Sequence, residues 1–442
     1  MIDDDRVALA AEAFLYGFPL LFDLQQVARF TREGIGSLGA APFNAFSHAT
    51  DLAGPADTFV SINNDTVYSI AQVDVSGGPV RLQVPDTSGR YYVLQFVDAW
   101  TNNFAYIGHR ATGTAAGSYL LVAPGWDGSP AAGETVIRFP TSLATIVGRW
   151  AVDGEDDLAA VADLQSRLVL TPPEGAGAGL PLADPAVARD LVAFEQMRLW
   201  IQAFPPAERD VAYQQRFAPL GLLDTDTPYA DAGGGLAQAL VAGRAAAEKQ
   251  MEDALQQGGS PEVNGWKLTY HVFDYNLDFF EVGALDDSRW KLPDSNLRYL
   301  VRALSARGGL WGNHGYEAAY AMTYDDGAGR PLDGAARYEM RFSELPPVRA
   351  FWSITMYDLP DYYLVENPIG RYSIGDRTPG LRYAGDGSLT ITMQREQPAS
   401  AEARANWLPT PPGPFRPILR LYEPGDAVFD GTYELPPIER VG

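Results

Sequence analysis

A strand-like segment that occurs twice constrains the fold of this chain more than any other feature. Residues 90–98 (RYYVLQFVD) and 350–358 (AFWSITMYD) are each rich in β-branched and aromatic residues, and each ends in aspartate. Such residues pack well on a pleated sheet. The two segments therefore predict two β regions, separated by more than two hundred residues.

The residues around the two segments also match in order. Upstream of each segment, a carboxylate stands three residues before a tyrosine: Asp65 and Tyr68 in the first copy, Glu317 and Tyr320 in the second. The downstream matches are 107–110 with 369–371 and 117–122 with 387–392. This common order predicts a diverged duplication of one β domain.

Short apolar segments with regular spacing fill the first β region. The predicted strands are residues 59–62, 67–75, 79–84, 91–97, 104–108, 119–123 and 135–139. Clusters of Gly, Pro and Ser separate them, which is typical of an antiparallel sandwich or barrel.

Helical periodicity dominates the N-terminus and the part between the two β regions. The predicted helices are residues 5–32, which we expect Pro19 to break or kink, and residues 156–168, 185–203, 236–257 and 297–306. The sequence predicts an α+β multidomain protein with two antiparallel β-sandwich-like domains. Its predicted parts are an N-terminal helical segment (1–57), a first β domain (58–150), a helical region (151–310) and a second β domain (311–442).

Several segments resemble a known pair of domain families. Residues 62–69 (INNDTVYS), 96–102 (FVDAWTN) and 107–110 (IGHR) resemble the domain of unknown function 1254. The segments 351–358 (FWSITMYD), 371–374 (RYSI), 406–409 (NWLP) and 419–422 (LRLY) resemble the domain of unknown function 1214. The resemblance implies two β-sandwich-like domains joined to a helical part, and it implies no particular reaction.

The charge balance limits the partners of the chain. The 442 residues include 33 Lys and Arg against 56 Asp and Glu, a net charge of −23. This balance argues against nucleic acid or an anionic membrane surface as the main partner. The acidic N-terminus lacks the basic start of a signal peptide, and we expect no membrane span. We therefore predict a soluble, cytoplasmic protein with a small-molecule partner, and the sequence leaves the oligomeric state open.

The scarcity of metal and cofactor ligands narrows the chemistry. The chain has no cysteine, and its four histidines, His48, His109, His271 and His314, are scattered. A G-x-G-x-x-G match at residues 34–39 follows a predicted helix, whereas a dinucleotide site needs a strand before it. We therefore predict no organic cofactor and no metal site, with a metal-dependent enzyme as the weaker alternative.

The segment NNDTVY, residues 63–68, is the strongest candidate site. It places amides, a carboxylate and a tyrosine just before an apolar strand, a set that can hold and polarise a small ligand. A turn built by Asn and Asp is the alternative interpretation. The segment DAWTNN, residues 98–103, ends another strand and is a second candidate.

Glu317 is the counterpart of Asp65, and two carboxylates in different environments can act as acid and base in one cleft. Two sets of candidates follow. The predicted catalytic residues are Asp65, Tyr68, Asp98, His109 and Glu317. The predicted substrate-binding residues are Asn63, Asn64, Trp100, Arg110, Asn313, Tyr320 and Arg371.

These residue types favour a cofactor-independent enzyme that acts on a small organic molecule by acid–base chemistry, as a hydrolase or a lyase/isomerase. We expect its site at the domain junction, where pockets are common. The alternative is a non-catalytic protein that binds a small molecule or a glycan.

Overall fold

The computed structural model describes residues 3–57, 61–175 and 177–441, which form an α+β fold. The helices are α1 (Asp4–Glu33), α2 (Leu158–Ser166), α3 (Val192–Ala203), α4 (Glu208–Gln215), α5 (Gly234–Gln257), α6 (Leu297–Gly309), α7 (Ala401–Ala405) and α8 (Asp426–Phe429).

The strands of the first β region lie between α1 and α3. They are β1 (Phe46–His48), β2 (Thr66–Asp74), β3 (Val80–Val84), β4 (Tyr92–Asp98), β5 (Asn103–Gly108), β6 (Gly117–Val122), β7 (Thr135–Arg138), β8 (Leu143–Ala151) and β9 (Val169–Thr171).

The strands of the second β region follow α5. They are β10 (Glu262–Val263), β11 (Trp266–Leu268), β12 (Ala318–Met322), β13 (Tyr338–Phe342), β14 (Val348–Asp358), β15 (Ser373–Gly375), β16 (Leu389–Gln394), β17 (Trp407–Pro409), β18 (Phe415–Pro424) and β19 (Ile438–Arg440).

These strands form four open sheets, and no sheet among the described residues closes into a barrel. Sheet 1 has the order β1-β2-β8-β4-β5 and sheet 2 the order β7-β6-β3-β9. Sheet 3 has the order β10-β11-β12-β18-β14-β15 and sheet 4 the order β17-β16-β13-β19. Adding ten to each strand number of sheets 1 and 2 reproduces sheets 3 and 4, apart from β10.

The direction of the strands follows the same correspondence. The described pairs are antiparallel except β6 with β7 and β16 with β17, which are parallel. Strand β3 of sheet 2 and strand β13 of sheet 4 both alternate buried and exposed residues, so each presents one face to a core and one to solvent.

Each pair of sheets shares one hydrophobic core. Trp150 of sheet 1 and Leu82 of sheet 2 belong to one buried cluster, and Trp352 of sheet 3 and Met340 of sheet 4 belong to another. Trp150 stacks on the Tyr92 ring, with 5.2 Å between ring centroids. The opposite faces of sheets 1 and 3 are therefore free to contact other parts of the chain.

Helix α1 is the centre of a helical layer that includes α3, α5 and α6. The Asp3 side chain accepts a hydrogen bond from the Arg6 amide at its start, and Gly34, with a φ of 82°, ends it. A Cβ at Gly243 of α5 would lie 2.5 Å from the Ala10 Cβ, so glycine allows the two helices to approach closely.

Helix α1 differs from two of our expectations. It continues through Pro19, which is buried in the helical layer, so packing compensates for the backbone hydrogen bond that proline cannot donate. It is also long and apolar enough to cross a membrane, although 61% of its most apolar window is buried against the rest of the chain. Core helices and signal sequences can both be this long and apolar, so the location of the protein stays a prediction.

Three other differences concern strands and a helix. The predicted strand at residues 59–62 lies partly outside the described residues, and Ser61 and Ile62 form no strand. Strand β8 was not predicted, because all nine of its residues are buried and it lacks the alternation of a half-exposed strand. Helix α4 and strands β9 to β11 lie between the helices that we predicted for the helical region, residues 151–310.

Candidate active site at the junction of the two β regions

Two tyrosine–arginine pairs face the junction between sheets 1 and 3. Tyr68 of β2 lies opposite Arg149 of β8, and Tyr320 of β12 lies opposite Arg420 of β18. In both strands the tyrosine is partly exposed next to buried neighbours. The pairs hold equivalent positions in the two β regions, and the two tyrosines keep some surface that a ligand could contact.

Arg149 is almost fully buried and bonds neutral groups. Its guanidinium donates to Gln95 Oε1 at 2.7 Å and to the Trp311 carbonyl at 2.8 Å, and lies 5.3 Å from the Tyr68 ring centroid. Among the described residues, no carboxylate oxygen lies within 4.0 Å of it. Burial by itself lowers the pKa of Arg149, but the Tyr68 and Tyr320 hydroxyls raise it above its ordinary value, so the charge is kept.

Arg420 has a similar environment in the second β region. It donates to Thr355 Oγ1 at 2.8 Å, to the Tyr357 hydroxyl at 2.8 Å and to the Ser61 carbonyl at 3.0 Å. The described part of the chain places no carboxylate oxygen within 4.0 Å of this guanidinium either. The carbonyls bound by the two arginines belong to Ser61 (φ 54°) and Trp311 (φ 63°), which both have the left-handed conformation.

The Tyr320 hydroxyl lies in the field of both guanidiniums. Burial raises its pKa, while Arg149, Arg420 and the adjacent Asn313 side chain lower it, and the net direction is upward. The phenol is therefore protonated at neutral pH and can donate a proton. Asn313 is fully buried, and its amide nitrogen makes no full hydrogen bond with the described residues.

Asp65 connects the first β region to sheet 3. Its Oδ2 accepts from Ser353 Oγ at 2.5 Å and from the Tyr422 hydroxyl at 3.3 Å. Asn63 holds Asp65 in place through two hydrogen bonds. Asn63 Oδ1 accepts from the Asp65 amide at 2.6 Å, and Asn63 Nδ2 donates to the Tyr422 hydroxyl at 2.9 Å. The predicted NNDTVY turn is therefore both a turn and part of the junction.

Glu317 is buried between the two regions. Its Oε2 accepts from Arg110 Nε at 2.5 Å and its Oε1 from the Tyr91 hydroxyl at 3.0 Å. Burial raises the pKa of Glu317, and Arg110 opposes this effect. Nearby, His109 Nδ1 lies 2.7 Å from Glu423 Oε1, with about a third of the imidazole exposed.

The arginine that corresponds to Arg110 is Arg377. Gly108 pairs with Val93 in sheet 1 and Gly375 pairs with Ser353 in sheet 3, so residues 107–110 correspond to 374–377. The expected match to 369–371 is thus displaced by five residues. Arg377 donates to the Asp65 carbonyl at 3.1 Å, so each region supplies an arginine to the acidic position of the other.

Comparison with known families matches both β regions. Residues 43–172 match the family described as "Protein of unknown function (DUF1254)", and residues 317–426 match "Protein of unknown function (DUF1214)". The chain therefore contains one region that matches each of these two families. We call residues 43–172 the DUF1254 region and residues 317–426 the DUF1214 region.

A solved structure shows that the fold has a precedent. The VPA0106 protein from Vibrio parahaemolyticus is 24% identical, with a TM-score of 0.75 over 99% of this chain and 100% of that one. An uncharacterized protein from Burkholderia cenocepacia is 13% identical, with a TM-score of 0.47 over 99% of this chain and 94% of that one. No curated protein matches the chain.

Three predicted site residues lie away from the junction. Asp98 follows Tyr91 by seven residues along the DUF1254 region, and this length of strand spans about 24 Å. Its carboxylate instead accepts from the Trp100 amide at 2.9 Å and the Asn102 amide at 2.8 Å, and burial raises its pKa to about 6. Trp100 Nε1 donates to the Phe204 carbonyl in the helical layer.

Arg371 is the third displaced residue. It donates to the carbonyls of Ala405 and Trp407 within the DUF1214 region, at 3.0 Å and 2.9 Å. Asn64 lies at the edge of the junction, where its amide donates to the Ala53 carbonyl and its Oδ1 accepts from Ser373 Oγ. The other predicted residues contact the junction, namely Asn63, Asp65, Tyr68, His109, Arg110, Asn313, Glu317 and Tyr320.

The two arginines opposite the tyrosines, Arg149 and Arg420, were not predicted as site residues. Arg149 is the one charged residue of β8 (LATIVGRWA), and Arg420 lies in the buried strand β18 (FRPILRLYEP), which also holds Arg416 and Glu423. Burying a cation in such a strand costs free energy unless the cation is paired and hydrogen-bonded. An arginine inside an apolar strand is therefore the sequence signal that could have identified both residues.

The described residues also bear on the metal alternative. Among them, no group of three or more His, Asp or Glu side chains is arranged to hold a metal ion.

Proposed function

We propose that the chain is an enzyme that acts on a small organic molecule by acid–base chemistry at the junction of the DUF1254 and DUF1214 regions. One observation carries the proposal: the protonated Tyr320 hydroxyl lies in the field of two buried guanidiniums, Arg149 and Arg420. Preorganised charges in a water-poor site stabilise developing charge far better than the same charges in water.

The side chains at the junction suggest a proton donor and a proton acceptor. Tyr320 is the proton donor, because burial keeps its hydroxyl protonated. Tyr68 is the second tyrosine of the junction, and Asp65 is the carboxylate that we assign as the proton acceptor. The reaction classes compatible with these groups are hydrolysis and lyase or isomerase chemistry.

Glu317 and Arg110 are positioning residues in this proposal. The Glu317 carboxylate is bonded to both Arg110 and Tyr91, so its bonds hold the two regions in register. The predicted catalytic role of Glu317 therefore becomes a structural one, and His109 is at the rim of the site.

We also propose that the two β regions are sandwich-like domains derived by duplication. The support is the strand order of sheets 1 and 2, which sheets 3 and 4 reproduce together with the parallel pair. Duplication places equivalent Tyr–Arg pairs on both sides of one junction, which gives a single composite site rather than two separate ones.

A screen for metabolite turnover tests the proposal. The purified chain is incubated with pooled small metabolites, and substrate loss is followed by mass spectrometry. We expect one class of compounds to be consumed by the wild type, and consumption to fall at least a hundredfold in Tyr320→Phe. Tyr229→Phe is the matched control, because Tyr229 is a buried tyrosine that donates to the Leu220 carbonyl in the helical layer.

A protein that binds a small molecule without turnover is the second candidate. The observation in its favour is that both junction carboxylates, Asp65 and Glu317, already accept hydrogen bonds from neighbouring side chains. In that case a compound is retained by the wild type and released by Tyr320→Phe, and it is recovered chemically unchanged.

We keep the cytoplasmic location as a proposal, based on the burial of most of the apolar window of α1. Fractionation of cells that express the untagged chain tests it.

A further inference from the structure

We infer that the junction binds the carboxylate group of a small organic acid, held by Arg149, Arg420 and the Asn313 amide. The acid is a substrate only if the chain is the proposed enzyme, so its role as substrate rests on the proposed function. Binding itself requires no turnover, so the two can fail separately.

The guanidiniums of Arg149 and Arg420 lack a carboxylate partner among the described residues. The chain carries an excess of acidic residues, and two of its other buried arginines are neutralised by carboxylates: Arg198 pairs with Glu195 and Arg298 with Asp210, each at 2.8 Å. Arg302 and Arg416 are buried beside neutral groups among the described residues. Arg149 and Arg420 have only neutral partners within 4.0 Å among the described residues. A buried charge is costly unless it is paired, so an anion from outside the chain would complete both environments.

The side-chain amide of Asn313 is a hydrogen-bond donor without a partner among the described residues. Asn313 is fully buried, and its Nδ2 has no hydrogen-bond partner in the described part of the chain, although buried donors rarely lack one. The Asn313 side chain contacts Tyr320, and its Oδ1 is 3.5 Å from an Arg149 nitrogen. The free donor is therefore beside the uncompensated guanidinium, where an anionic oxygen could satisfy both.

The charges and donors around the junction favour a carboxylate over a phosphate. Asp65 is near enough to Arg420 to influence its ionisation, so a carboxylate of the chain already lies in the field of the site. The Asp65 carboxylate would repel a dianionic phosphate about twice as strongly as a monoanion. A planar monoanion with two oxygens matches a guanidinium and an amide donor better. The partly exposed Tyr68 and Tyr320 rings suit the organic part of such an acid.

The experiment is calorimetric titration of the full chain with propionate and benzoate. Propionamide and benzamide are the matched neutral probes, and phosphate is the competing anion. We expect either acid to bind at least tenfold more tightly than its amide and than phosphate. The result that overturns the inference is equal binding of acid and amide, or tighter binding of phosphate.

Asn313→Asp is the sharpest variant, because it supplies the missing negative charge from within the chain. We expect it to melt at a higher temperature than the ligand-free wild type and to bind the acids at least tenfold more weakly. Arg149→Gln should also weaken binding at least tenfold, provided that its circular dichroism is that of the wild type.

Arg302→Gln is the control for these variants. Arg302 is also buried and also bonds only neutral groups, Asn102 Oδ1 and the Tyr275 carbonyl, but it is part of α6 in the helical layer. Its variant should bind the acids as the wild type does. Unchanged binding in Asn313→Asp would overturn the inference.

The outcomes separate this inference from the proposed function. Acids that bind at Arg149 while no metabolite is consumed would contradict the enzyme and support the carboxylate site. Turnover of uncharged compounds without any binding of acids would support the enzyme and overturn the carboxylate site.

Discussion

Arg110 of the DUF1254 region and Glu317 of the DUF1214 region form a buried ion pair, with 2.5 Å between Nε and Oε2. Removal of one partner leaves the other charge buried and uncompensated. We predict that Arg110→Ala lowers the free energy of unfolding by about 3–5 kcal/mol, measured by chemical denaturation at pH 7.

An exposed ion pair provides the control for this variant. Arg341 and Asp386 lie 3.0 Å apart, with side chains that are 62% and 60% exposed. Because water screens such a pair, Arg341→Ala should change the stability by less than about 1 kcal/mol. Equal effects of the two substitutions would contradict the role assigned to Arg110.

His314 should make the protein sensitive to acid. Its ring is buried, with Nδ1 2.9 Å from the Tyr106 hydroxyl and 3.0 Å from the Tyr316 hydroxyl. Burial, with a smaller effect of Arg110, lowers the pKa of His314 to about 3. Between this value and about 6.5, the unfolded chain binds one proton more than the folded chain, so stability is lost as the pH falls.

The test is denaturation of the wild type and His314→Gln between pH 7.5 and pH 4.5. Below about pH 6, the stability of the wild type should fall more steeply by about 1.4 kcal/mol per pH unit. Parallel curves for the two proteins would show that His314 does not titrate in this way.

Two glycines test the correspondence between the β regions. A Cβ at Gly108 would lie 2.2 Å from the Tyr92 carbonyl oxygen, and a Cβ at Gly375 would lie 2.0 Å from the Trp352 carbonyl oxygen. Each contact is between neighbouring strands at the same place in sheets 1 and 3. Gly108→Ala and Gly375→Ala should therefore each destabilise the protein by about 1–3 kcal/mol or more.

Gly413→Ala is the control for this pair. No atom beyond its chain neighbours lies within 4 Å of the position that the added methyl group would take, and its φ is not positive. The substitution should leave the melting temperature nearly unchanged. If only one of the two sheet glycines tolerates alanine, the two positions are not equivalent.

The sequence predicts strands well where their residues have a clear pattern. The predicted strands at 67–75 and 91–97 agree with β2 (Thr66–Asp74) and β4 (Tyr92–Asp98) within one residue. β8 escaped prediction because it lies at the centre of sheet 1, between β2 and β4, where both faces are covered. Burial of this kind depends on tertiary packing, which local periodicity does not report.

The candidate site was predicted in part. The repeated spacing of a carboxylate and a tyrosine identified Asp65, Tyr68, Glu317 and Tyr320, which the fold brings to one junction. It could not identify the arginines opposite the tyrosines, because strand pairing between distant segments decides which residues become neighbours. Asp98 was misplaced for a related reason, since the two ends of one strand lie on different sides of the molecule.

A crystal of the protein soaked in bromide shows whether the junction binds an anion, because anomalous scattering locates bromide. We expect a bromide peak within about 3.5 Å of the Arg149 guanidinium and Asn313 Nδ2. The peak should be absent from crystals of Asn313→Asp. Bromide bound at surface sites, with none at this junction in the wild type, would contradict the account.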